Sequence, residues 1–160
     1  MNSSEVKTKT LHYWRFIRKD YNFIATEVGR FNSDVLVANN KEIIACEIKV
    51  SKYDLKNDLK KKKHSIYKKL NKYYFKWIPN KFYFAVPSNL ISYAKEIVEN
   101  TEYGILEVLD KNIVSNKKVS YCKIVKKAKK LHKEYNLALH KQIILRESSE
   151  LIRLRIKNLS

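Results

Sequence analysis

Asp34, Glu47 and Lys49 are the residues of this sequence whose types and spacing could carry out chemistry. Glu47 and Lys49 lie two apart in an apolar stretch, Glu42 to Val50, that reads as a strand. Their side chains therefore leave the same face of a sheet, and Ile48 points the other way into the core. Asp34 begins the preceding apolar run, and the Asn39-Asn40 turn would fold that run back antiparallel, beside Glu47. Two carboxylates and an ammonium would then meet at one end of a hairpin. Hard oxygen ligands of this kind suit Mg²⁺, which keeps several waters and is completed by a substrate phosphate. The metal would polarise the phosphoryl oxygen and generate the nucleophile. Lys49 would position the attacking water or help to deprotonate it. Such charges also form surface ion pairs of little value, but Ala45, Cys46 and Ile48 around Glu47 make a charge expensive to place there without purpose.

The elements that must hold these residues follow from the apolar pattern. Leu11, Trp14 and Ile17 predict an amphipathic helix over 8–20, and Phe23 to Val28 a strand, with a turn at Gly29 to Asn32. Ser51 reads as an N-cap with Asp54 at the partner position. It opens a long helix on which Leu55, Leu59, Ile66 and Leu70 form one stripe, leaving Lys60 to Lys63 on a solvated or ligand-facing surface. Lys81 to Val86 reads as a strand, and Ser88 as the cap of a helix through about Glu99. Tyr103 to Leu109 is then a strand, 112–118 a polar loop, Tyr121 to Val125 a last strand, and the chain from Lys126 a helix. This order predicts one α/β domain over 1–160, a mixed central sheet flanked by helices.

Composition points to the partner. The 34 Lys and Arg against 16 Asp and Glu give a net charge of +18. An AT-rich coding sequence accounts for part of that surplus, since Lys far outnumbers Arg. Distribution is the sharper signal: residues 52–81 hold eleven Lys against Asp54 and Asp58, and 111–133 hold nine with no acid. Such clusters favour a polyanion. Arg30, Ser51, Lys52, Lys60, Lys61, Lys63 and Lys68 are the candidate contacts to a nucleic-acid backbone, and binding through so many cations should fall steeply with salt. Tyr67, Tyr73, Tyr74, Phe75 and Trp77 interleave with lysines, a pattern that could stack bases although helical spacing also suits core. Asp54 and Asp58 could tune Lys49 or simply favour the helix dipole. The four histidines and two cysteines lack metal-ligand spacing, so zinc is not expected, and no Gly-rich phosphate loop is present. Two cysteines are too few for a disulfide scaffold and fit a reducing compartment. No apolar run reaches membrane-spanning length and no signal-peptide core follows Met1 to Lys9. The expectation is a cytoplasmic protein, nucleoid-associated in a bacterial host.

Asp34 followed by Glu47-Ile48-Lys49 resembles the signature of the PD-(D/E)XK nucleases, which share the restriction-endonuclease-like fold. The likeness is closer to the MmcB-like DNA repair proteins. It rests on the Gly29-Arg30 turn, Asp34-Val35-Leu36, Glu47 to Ser51, and Asp54-Leu55 with Asp58. Lys81 to Pro87, the Gly104 to Asp110 strand and a basic, apolar C-terminal helix fit in order. The resemblance spans roughly 20–155 and is specific only over 34–58. It implies a DNA endonuclease in a repair or recombination setting, acting on branched or damaged DNA with Mg²⁺ or Mn²⁺. Asp34 and Glu47 would be metal ligands and Lys49 the catalytic lysine. Glu27 would be an added acid, or else a solvent-side strand residue. A binding module without catalysis, on the same fold, is the alternative, and a homodimer is compatible with either.

Overall fold

Every residue from Glu42 to Lys49 is buried, which is what a central strand with helices on both faces requires. In the computed structural model, which describes residues 1–115 and 118–159, this segment contains β3 (Ile43–Ile48). It sits between β2 (Ser33–Ala38) and β4 (Lys81–Pro87). The six strands lie in sequence order, with β1 (Phe23–Val28) at one edge and β5 (Gly104–Ser115) and β6 (Lys118–Lys126) at the other. Pairing is antiparallel for β1–β2, β2–β3 and β5–β6, and parallel for β3–β4 and β4–β5. The chain is therefore α/β with a mixed six-stranded sheet flanked by helices.

Period-two alternation divides the core into two layers. Leu36, Ala38, Ile43, Ala45, Phe82 and Phe84 face α2 (Lys52–Asp58), α3 (Lys62–Lys69), α4 (Ile91–Val98) and α5 (Leu137–Lys157). Val35, Val37, Ile44, Cys46 and Ile48 face α1 (Ser3–His12) and the π-helical turn Tyr13–Ile17, where Trp14 is the largest buried side chain. Both cysteines are free and buried, Cys46 within this second layer. Among the described residues no helix is long and apolar enough to cross a membrane.

Several boundaries differ from the sequence expectations, most for a local reason. The first helix begins at Ser3, because Asn2 and Glu5 form a reciprocal capping box. The helix expected from Ser51 to Leu70 is two, broken at 59–61 where Lys61 takes an extended backbone. Ser88 opens a short 3₁₀ turn, Ser88–Leu90, and does not cap α4. Residues 127–136 are not helical, since two asparagines pin them to the sheet. The Asn80 side-chain amide donates to the carbonyls of His132 and Glu134, and that of Asn136 to Phe75 and Ile78. Of the loop expected at 112–118, residues 116 and 117 lie outside the described residues, and 112–115 continue β5.

Gly104 starts β5 where three chains meet. A Cβ there would collide with the Tyr83 ring and lie 2.7 Å from the Ala128 backbone nitrogen, which donates to the Tyr83 hydroxyl. Gly104→Ala is expected to destabilise the fold by about 1–3 kcal/mol through overpacking, read as a Tm lower by several degrees.

Candidate functional site

The β2–β3 ladder pairs Val35 with Cys46, so its next rung sets Asp34 across from Glu47 on the helix-covered face. Asp34 is half-buried, and its Oδ2 accepts the Ile48 backbone N–H at 2.8 Å, which fixes the carboxylate at the end of the strand pair. Lys49 continues β3 by donating its backbone N–H to the Ala85 carbonyl. Its Nζ then lies 3.3 Å from Glu47 Oε2 and 3.4 Å from Asp58 Oδ1. The three residues singled out by spacing are together.

Asp58 of α2, offered by the sequence as a residue that could tune Lys49 or favour the helix dipole, joins the site, and the structure adds Lys61, Lys63 and His64 in contact with the buried acids. Ser51 Oγ accepts the Asp54 N–H and donates to the Asp54 carboxylate, starting α2. One and a half turns later Asp58 points inward and is 1% exposed. The break at 59–61 turns the chain so that the next residues come back to it. Lys61 Nζ lies 2.5 Å from Asp58 Oδ1, and Lys63 Nζ reaches Glu47 Oε1 at 2.7 Å and Asp58 Oδ2 at 3.4 Å. His64 Nε2 is 3.0 Å from Asp58 Oδ2, and its Nδ1 is 2.8 Å from the Tyr103 hydroxyl. A carboxylate can only accept, so Nε2 carries the proton and Nδ1 accepts from Tyr103. Burial, the largest influence, lowers the His64 pKa, which keeps the ring in this neutral form at pH 7.

Two buried carboxylates are thus bridged by two lysines, Lys49 and Lys63, each touching both. The acids are not equally satisfied. Burial would raise the Asp58 pKa, but the His64 hydrogen bond and the charges of Lys63, Lys61 and Lys49 outweigh it and hold the group well below the usual carboxylate range. For Glu47 the balance goes the other way. Burial, joined by the negative charge of Asp34, keeps its carboxyl above the ordinary value despite Lys63 and Lys49. Glu47 is therefore the carboxylate whose charged form an added cation would favour.

This is the relevant test for a divalent ion. Among the described residues no group of three His, Cys, Asp or Glu side chains could hold a metal. Mg²⁺ needs only one or two carboxylates, with waters and phosphate completing the shell. Asp34 and Glu47 supply those hard oxygens, and the Lys63 ammonium at 2.7 Å shows that this position takes a cation. In donor chemistry the two carboxylates suit Mg²⁺ or Mn²⁺, which would have to take the place of that ammonium at Glu47.

Several expected residues are elsewhere. Glu27 does not join the acids: its backbone is left-handed, φ 51°, and its carboxylate pairs with Lys7 at 3.0 Å and Arg146 at 3.9 Å. Lys63 is 5% exposed and serves the buried acids, so it is not a nucleic-acid contact. Lys61 is half-exposed but tied to Asp58, and the Ser51 hydroxyl is occupied by the cap. Asp54 stays exposed, away from Asp58. Arg30, Lys52, Lys60 and Lys68 are exposed, with Arg30 over the Tyr74 ring and Lys52 over Tyr93.

No family model and no curated protein matches the chain. Among solved structures it is similar to a protein of unknown function from Silicibacter pomeroyi, with a TM-score of 0.57 and 17% identity. The likeness covers 99% of this chain and 92% of that one, so the two share a fold.

Asp58→Asn would leave Lys49, Lys61 and Lys63 short of a counter-charge inside the fold. The expected loss at pH 7 is about 3–5 kcal/mol in a denaturant titration. Because the folded-state pKa of Asp58 is depressed, its contribution is complete above the ordinary value of 3.8 and declines below it, as the unfolded chain takes up a proton that the folded one refuses. The gap between wild type and variant should narrow below pH 3.8.

Proposed function

We propose that the chain is a metal-dependent DNA nuclease with a restriction-endonuclease-like fold. The observation that carries this reading is the pairing of Asp34 and Glu47 at the end of the β2–β3 ladder, with the Lys49 ammonium 3.3 Å from Glu47. Asp34 and Glu47 would hold Mg²⁺ or Mn²⁺, which when bound polarises the scissile phosphoryl group and acidifies a water. Lys49 is tethered by its backbone to β4 and by its ammonium to Glu47 and Asp58, so it is pre-positioned to orient that water and offset phosphate charge. Water oxygen bonds to phosphorus, one phosphorus–oxygen ester bond breaks, and the departing sugar oxygen takes a proton. Asp58, His64 and Tyr103 act through Lys49 and Lys63 and are positioning residues. Arg30, Lys52, Lys60 and Lys68 are exposed and would meet the DNA backbone.

A second reading is a DNA-binding module without catalysis. It is favoured by Lys63, whose ammonium already occupies Glu47 Oε1. Cleavage assays on single-stranded, duplex and branched DNA separate the two. Mn²⁺-dependent cutting is expected in wild type and should fall about 10²- to 10⁴-fold in Lys49→Ala and Asp34→Asn, with DNA binding in EDTA retained. Binding without cutting on every substrate and metal would support the second reading. Affinity in EDTA should fall steeply between 50 and 200 mM salt in either case.

A further inference from the structure

Between β3 and β4 the chain from Asn71 to Trp77 runs as turns and a 3₁₀ helix, Phe75–Trp77, and its aromatic rings divide by direction. Phe75 turns inward onto His132, with ring centroids 4.6 Å apart. Tyr73 does the opposite and is 87% exposed, so its ring contributes almost nothing to the core. Tyr73, Tyr74 and Trp77 line a cavity of about 410 Å³ together with Arg30 and Lys76. The Arg30 guanidinium lies 5.0 Å from the Tyr74 ring centre and the Lys76 ammonium 5.2 Å from that of Trp77. Both cations thus face rings, and the sequence from 59 to 95, which carries Lys76 and the three rings, contains no acid.

We propose that this cavity is a subsite for an unpaired nucleotide, in which a base stacks on Tyr73, Tyr74 or Trp77 and Arg30 and Lys76 hold its phosphate. The inference rests on the nucleic-acid reading above and adds the structure of the substrate. Rings of this kind bind any base whose face is free, which excludes bases inside an intact duplex and selects single strands, frayed ends, flaps and junctions. The place in the fold suits it. Arg30 stands four residues before Asp34, a span of at most about 14 Å of chain. The rings connect inward as well: Tyr74 packs on Phe31, and Phe31 on Tyr67 at 5.4 Å. Burial is the main reason the Tyr67 phenol pKa is raised, and the charge of Glu47 adds to it.

Fluorescence anisotropy in EDTA, with a labelled oligo-dT and a labelled duplex of equal length, tests the subsite apart from any cleavage. Wild type should prefer the single strand. Tyr73→Ala, at a position too exposed to affect folding, and Trp77→Ala should each weaken single-strand binding about 5- to 100-fold. Duplex affinity and the salt slope should stay unchanged, because no phosphate contact is removed. Trp77→Phe should restore most of the loss, since a ring returns. Variants that bind the single strand as tightly as wild type would overturn the subsite alone. Wild-type protein that binds neither oligonucleotide would overturn the nucleic-acid reading, and the subsite with it.

Discussion

Two carboxylates, Glu47 and Asp58, are almost sealed from solvent, and neither can stay ionised there without cations alongside. Much of the local architecture follows from that constraint. Lys49 extends β3 by one backbone hydrogen bond so that its ammonium can touch both acids. The helix after Ser51 stops at Asp58 and restarts at Lys62, which brings Lys61, Lys63 and His64 back onto the same side chain. Tyr103, just before β5, fixes the histidine tautomer from the far side. A single continuous helix over 51–70 would have carried Lys63 and His64 to other faces and left Asp58 with only Lys49 and the lysines one turn on.

The two acids differ in how fully the constraint is met. Four basic groups crowd Asp58, and its proton affinity falls. Glu47 has two, and burial, joined by the charge of Asp34 across the strand pair, outweighs them, so its proton affinity rises. In the proposed site a further positive charge from outside, a divalent ion or one brought by a bound substrate, would offset the burial of Glu47. Lys63 then stands in for that charge, and Asp58, which also pairs with it at 3.4 Å, is where it can remain when displaced.

Strand-level features were legible from sequence because they depend on nearest neighbours. The Asn39-Asn40 turn and period-two alternation were enough to bring Asp34, Glu47 and Lys49 to one face, and apolar runs located the strands. What sequence hid depends on tertiary contacts. Four consecutive lysines, Lys60 to Lys63, read as one solvated helix face, yet one of them is a core residue because a buried carboxylate awaits it. The helix break has no Gly or Pro to announce it. Glu27 has the right residue type at a suitable distance in sequence, but its left-handed backbone aims it at Lys7 and Arg146. Asn80 and Asn136 look like ordinary loop residues, though their amides hold 127–136 out of the helix expected there. His64 could have been noticed only by pairing it with Asp58 six residues earlier, a spacing no regular helix would bring together.

The central claim is that Asp34 and Glu47 form a cation site at the end of β3. Paramagnetic line broadening by Mn²⁺ in amide-resolved NMR of the DNA-free protein tests it most directly. Substoichiometric Mn²⁺ is expected to broaden the amides of Asp34 and of Glu47 to Lys49 first, followed by Lys63 as its ammonium yields, and Glu47→Gln should abolish the effect. Broadening that begins elsewhere, or that survives unchanged in Glu47→Gln, would contradict the claim.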